Sequence, residues 1–469
     1  MRRAVVWAAV FLGALLSAPA FGEPAATDDL AAEIGALKAT ILEQESRLAA
    51  LEKRLEEVQK AQSKPVEKVQ EADRAPAEPA QKPEPNPGDV HAYWKDGLRL
   101  DSQDGNFKLK FGGRLHLDAG WIGGDELEEQ LGTDLKDGVE IRRARLSVEG
   151  TMYQFLDFKL EYDFGTGAAV PRDVFLRFTH LAAVGNLTAG QFKEPFGLEE
   201  FASDNYTTFI ERGLPDAFAP SYNLGIMANN TLCNDRATWA VGAFRDTDES
   251  GKLSSDDGGY GATARVTALP WYEEEGKKLL HLAASYSLRT PTDDTAQYSA
   301  RPEAHFVNVL FTDTGKIPEV SDVNLFGTEA ALVCGPLSFQ TEYMGSALDR
   351  RGDDCLYFDG AYGQVSYFLT GEHRPYRTAT GTFDNVRPNK NFRQDAGLGA
   401  WELAVRYSFL DLRDSDLPAT ARLVQDLTAG LNWYLTPNIR LMWNYIHSWV
   451  SDNVDGSADI ALTRVQVAW

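Results

Sequence analysis

From Phe107 to the C-terminus, apolar and polar side chains alternate with a period of two over runs long enough to cross a bilayer. Phe107, Leu109, Phe111, Leu115, Leu117, Ala119 and Trp121 share one face of an extended segment. Lys108, Lys110, Arg114, His116 and Asp118 share the other. Such a run is long for a soluble sheet and suits a tilted membrane strand of roughly ten residues plus its ends. The pattern returns at 158–164, 280–289 and 401–409, and again after the Thr436-Pro437-Asn438 turn. Dividing the chain at its turn signals gives sixteen strands, with long acidic connections alternating with short ones such as 152–154. Short turns on the periplasmic side and long outer loops belong to outer-membrane barrels. The expected fold is therefore all-β: a 16-stranded antiparallel transmembrane β-barrel over 90–469, preceded by a short α-helical coiled coil. The connection 371–399 fits poorly, being a long segment on the short-turn side. It is either inserted into the lumen or marks a miscounted strand.

Both ends of the chain carry export signals. Arg2 and Arg3, an apolar run over 4–16 and Ala18-Pro19-Ala20 predict a signal peptide over 1–20. At the other end Thr463, Val465, Val467 and Trp469 alternate with Arg464, Gln466 and Ala468. A last amphipathic strand ending on an aromatic resembles the signal read by the barrel-assembly machinery. Between signal and barrel, Ile34, Ile41, Leu48 and Leu55 recur every seven residues, with Leu30, Leu37, Leu51 and Val58 as companions. That seam predicts a coiled coil over 28–60. The following Pro-rich stretch, 61–89, cannot build a core and reads as an extended linker.

Several function classes are excluded. No mature segment supplies the roughly 18 apolar residues of a helical span, and the mean hydropathy is -0.33. A net charge of -23 argues against a nucleic-acid partner. Three cysteines do not make a disulfide framework, and no intramolecular bridge is expected. The seven histidines are scattered, with no catalytic or metal-binding spacing, so neither an enzyme nor a cofactor is implied.

Several stretches, in order, resemble the phosphate-selective porin O and P family: EIRRARLSVEG at 140–150, FKLEYDF at 158–164 and GQFKEPFGLE at 190–199, then TGEHRPYR at 370–377 and GAWELAVRYS at 399–408. The resemblance continues over 426–448. It implies a homotrimer of 16-stranded barrels in outer-membrane lipid, with a long third loop, here about 194–223, folded inward to narrow each pore.

Strand parity gives an independent view of ion preference. The acidic surplus sits in connections such as 125–137, 246–257 and 411–416. Lumen-parity cations outnumber lumen-parity acids. The candidate pore-lining, anion-binding residues are Lys110, Arg114, Arg143, Arg145, Lys159 and Arg177, then Arg265, Arg289, Arg406 and Arg440. Lys193, at the start of the third loop, is expected across the lumen from the Arg143–Arg145 strip. A lumen ringed by fixed positive charge favours anions, which makes passive diffusion of small anions such as phosphate the leading expectation. Parity assigns faces but not partners, so these cations could instead pair across the lumen and hold its shape. The alternative function is a general or weakly selective porin whose coiled coil tethers the outer membrane to peptidoglycan or another cell-wall polymer.

Overall fold

The computed structural model describes residues 89–469 except 183, 249, 254–257, 395 and 453. The signal peptide, the coiled coil and all but the last residue of the linker lie outside the described residues.

Sixteen antiparallel strands form a closed barrel. In chain order they are β1 (Phe107–Gly123), β2 (Gly138–Met152), β3 (Leu156–Asp163), β4 (Val170–Leu181), β5 (Gly185–Lys193), β6 (Tyr222–Leu232), β7 (Ala237–Arg245) and β8 (Tyr260–Glu273). Then follow β9 (Lys278–Thr290), β10 (Val320–Cys334), β11 (Leu337–Arg350), β12 (Leu356–Phe368), β13 (Ala400–Asp411), β14 (Leu423–Thr436), β15 (Ile439–Ser451) and β16 (Gly456–Ala468). Strand β16 pairs back onto β1, with Trp121 opposite Ala461 and Asp118 opposite Arg464, which closes the cylinder. Trp469 exchanges two 3.0 Å backbone hydrogen bonds with Gly113, and its indole covers the place where a Cβ on Gly113 would stand. Below that point a hairpin, Val90–Trp94 with Leu98–Ser102, continues the ladder along β1. The chain thus enters the barrel at its short-turn end. Cys233, Cys334 and Cys355 are all free thiols.

The outward face is apolar and exposed at Leu117, Trp121, Leu146, Val266, Val405 and Tyr445, while Glu342, Glu402, Arg406 and Arg464 are buried inside. This reversal of the soluble pattern is what a hydrocarbon solvent demands.

Three connections fold into the lumen. From the long-loop end, 194–221 and 291–319 contribute Phe196, Ile210, Leu214, Phe306 and Phe311 to one apolar cluster, which packs on Val323, Leu325, Met344, Ile446 and Ile460 of the wall. Each fully buried side chain of this kind is worth about 1.5–3 kcal/mol, so the hydrophobic effect seats both segments. From the short-turn end comes 371–399. Arg265 donates to the carbonyls of Thr380 and Gly381 at 3.3 and 2.9 Å, Arg374 donates to Gln340 at 2.9 Å, and the Tyr376 hydroxyl bonds His281 at 2.7 Å. The count of sixteen strands therefore stands, and the anomalous connection is an insertion.

Candidate functional site: an ion-paired constriction between two cavities

Inside the barrel the segment 194–221 separates two cavities. The one facing the long loops, about 360 Å³, is lined by Arg142, Glu211, Arg212, Asp216, Arg301 and His305. The one facing the short turns, about 300 Å³, is lined by Arg114, Lys159, Arg177, Lys193 and Asp204, among others. A water takes roughly 30 Å³ of liquid, so each cavity has room for a small hydrated ion. Arg212 lines the first, Asp204 lines the second, and the two are in direct ion-pair contact. That contact is part of the wall between the cavities.

Asp204 sits at the centre of the constriction because the barrel brings distant strands onto it. Arg143 of β2 approaches to 3.1 Å, Arg145 to 2.9 Å, Arg114 of β1 to 3.7 Å and Lys193 at the end of β5 to 3.7 Å. Glu211, seven residues on, takes Arg142 at 2.9 Å, Arg464 at 2.6 Å and Arg143 at 3.8 Å. Burial by itself would raise both carboxyls. The surrounding Arg143, Lys193, Arg212 and Arg145 hold Asp204 well below the usual carboxylate range, and Arg142, Arg143 and Arg464 do the same for Glu211.

The presence of both Arg142 and Arg143 on the lumen side has a local cause. The β1–β2 register runs from His116 opposite Arg143 directly to Leu117 opposite Ile141, leaving Arg142 as the extra residue of a β-bulge. A bulge re-aims one side chain, and here it sends Arg142 to Glu211.

A profile of the family described as phosphate-selective porin O and P matches residues 109–469. The chain belongs to that family. Porin O of Pseudomonas aeruginosa is 26% identical to it over 419 residues, 81% of this chain and 92% of that one. An uncharacterized protein of Caulobacter vibrioides is 32% identical over 370 residues, 75% of this chain and 70% of that one. Among solved structures, an anion-selective porin from Comamonas acidovorans aligns with a TM-score of 0.49 at 11% identity, covering 77% of this chain and 100% of its own. The protein is thus an outer-membrane porin, a channel class rather than an enzyme class.

Within this porin the cations expected from parity divide into two groups. Arg114, Arg143 and Arg145 meet at the constriction. Lys193 joins them on the same carboxylate, Asp204, instead of standing across the lumen, because β5 lies only three strands from β2. Toward the short-turn end, Lys110 pairs with Glu149 at 3.1 Å and Lys159 with Asp173 at 2.6 Å. Arg177 donates to the Thr188 hydroxyl at 3.0 Å, lies over the Phe175 ring and has no ion pair among the described residues.

The other group anchors the inserted segments. Arg265 binds Glu329 at 2.6 Å together with the Thr380 and Gly381 carbonyls, and Arg289 holds Glu194 at 3.0 Å. Arg406 bonds Glu303 of the second inserted segment at 3.1 Å and Glu199 of the first at 3.4 Å. Arg440 donates to the carbonyls of Thr207 and Thr208 at 2.7 and 2.8 Å. Strand alternation missed Asp204, Glu211, Arg212 and Glu303, which lie on connections, where no period of two applies. It also missed Arg142, whose one signal is its adjacency to Arg143 in the middle of a strand.

Proposed function

We propose that the porin admits small anions, inorganic phosphate among them, by passive diffusion past the Arg143–Asp204 constriction. The reading rests on one observation. Basic side chains follow one another along the lumen, from Arg142 and the loop residue Arg212 in the outer cavity, through Arg114, Arg143 and Arg145, to Lys159 and Arg177 in the inner one, with Lys110 beside it. Fixed charges in a narrow lumen bias which ions enter. Reversal potentials in planar bilayers under a salt gradient test it. The native pore should prefer chloride over potassium, and Arg143→Glu with Arg145→Glu should shift preference toward potassium. A native pore that already prefers potassium, or a reversal potential that the double substitution leaves in place, overturns the reading.

The pairing of most of these cations with carboxylates favours a second reading, a weakly selective porin. In either case the working form is a homotrimer in outer-membrane lipid, as the family resemblance implies. Since the chain enters the barrel at its short-turn end, residues 28–60 would stand in the periplasm. There a coiled coil would strengthen the trimer and could reach peptidoglycan.

A further inference from the structure

Five cationic side chains crowd one carboxylate at the constriction: Arg114, Arg143, Arg145, Lys193 and Arg212 all come within ion-pair distance of Asp204. A carboxylate offers about four lone-pair positions on two oxygens, so the cluster holds more donors than Asp204 can satisfy. The other carboxylates nearby are shared among these same cations and their neighbours, and Arg143 still leaves Nε and Nη1 without a hydrogen-bond partner among the described residues. Glu161 serves Arg114, Arg145 and Lys159, Asp163 serves Arg145, Glu200 serves Lys193 and Arg212, and Glu211 serves Arg142, Arg143 and Arg464. Asp204 stands on a connection while four of its five partners stand on the barrel wall. It also borders the inner cavity. Its contact with Arg212, which lines the outer cavity, helps to keep the two cavities apart.

We propose that Asp204 is a tethered counterion: its carboxylate fills an oxyanion-binding site built by the barrel wall, and a permeating oxyanion must displace it. This rests on the anion-pore reading and says which residue opposes it. Guanidinium groups fork around carboxylate and phosphate alike, so the five donors form a site for inorganic phosphate once Asp204 is gone. The native constriction is nearly neutralised from within and binds free phosphate weakly, because the tethered carboxylate is always at hand. No bond is made or broken in the exchange; one anion replaces another.

The test is a phosphate titration of Asp204→Asn, made in the full-length chain. The variant's chloride current should be half-blocked at a phosphate concentration at least about tenfold below that needed for the native pore, the factor expected when one charge-assisted competitor is removed. Chloride replaced by perchlorate at equal ionic strength controls for screening. A folded variant with the native phosphate response overturns the proposal. Because removing a buried counterion can prevent folding, refolding is also scored with phosphate, formate or chloride present at equal ionic strength. Recovery by phosphate or formate but not by chloride supports the tethered-counterion role, and failure with all three refutes it. The native reversal potential, read in the same bilayers, reports separately on the anion-pore reading. A cation-preferring native pore would sink that reading and with it the permeation part of this one, while a variant that ignores phosphate in an anion-preferring pore would sink this one alone.

Discussion

Gly120 of β1 and Gly138 of β2 face each other across the ladder, and the Phe306 ring of the segment 291–319 lies where their side chains would be. Two missing Cβ atoms thus make a seat for an aromatic that closes part of the lumen. In Gly120→Leu the new side chain needs the space of the buried Phe306 ring, so the ring and its segment should lift away. Single-channel conductance is expected to rise while the folded barrel still migrates as such on unheated gels. Unchanged conductance would mean that this segment does not limit flow. Gly113 plays the same part for Trp469, where a missing Cβ lets the indole approach the wall. At this scale the sequence was partly legible. Alternation placed Arg143 and Arg145 on the lumen side, but a bulge has no signature in a period of two, so Arg142 went unassigned.

Among the elements, the connection 194–221 carries the constriction, and its carboxylates set its response to pH. Asp204 and Glu211 have native pKa values depressed below those they would show undocked. A depressed acid stabilises the docked state fully above its undocked pKa and loses that contribution as pH falls toward its native value. The undocked values lie at about 4, so these two carboxylates leave conductance flat from about pH 8 to pH 5 and make it larger and noisier only below about pH 4. A conductance–pH curve for the reconstituted porin checks this. The groups facing the two carboxylates are Arg114, Arg142, Arg143, Arg145, Lys193, Arg212 and Arg464, none of which ordinarily titrates in that flat window. A step near neutral pH would instead report Asp216 on the same connection, whose carboxyl burial and the neighbouring Glu200 push up to about 8. The two other inserted segments act as supports. Glu303 is held by Arg406, by the Ser408 hydroxyl at 2.6 Å and by the Thr428 hydroxyl at 2.7 Å, and losing one partner of such a buried set costs about 3–5 kcal/mol.

For the whole molecule, the apolar outer surface and closed ladder place the barrel in a bilayer, and the remaining question is how many barrels associate. The family resemblance and the heptad seam both call for partners. Leu and Ile are mixed at the seam positions, so the seam does not choose the number of chains. The full-length porin is expected to run as a trimer in mild detergent, and removing residues 28–60 should lower the temperature at which the trimer dissociates without unfolding the barrel. Cross-linking against temperature reads both. A full-length chain that remains strictly monomeric would refute the trimer.

Strand number and strand faces were written in the sequence because they follow from local rules. Alternation has a period of two, a bilayer accepts only apolar side chains at its core, and a closed ladder must bond every strand. The 371–399 connection could be recognised as anomalous on the same grounds, though its destination could not. What only the tertiary structure decided is which charges meet. Asp204 draws its partners from β1, β2, β5 and its own connection, positions up to 90 residues away in the chain (Arg114 to Asp204), and the inward fold of that connection onto the sheet brings them within 4 Å. Coulomb interaction and desolvation act through space, so a count of lumen cations could not show that Arg265, Arg289, Arg406 and Arg440 hold inserted segments, while Arg143 and Arg145 face a carboxylate between the two cavities.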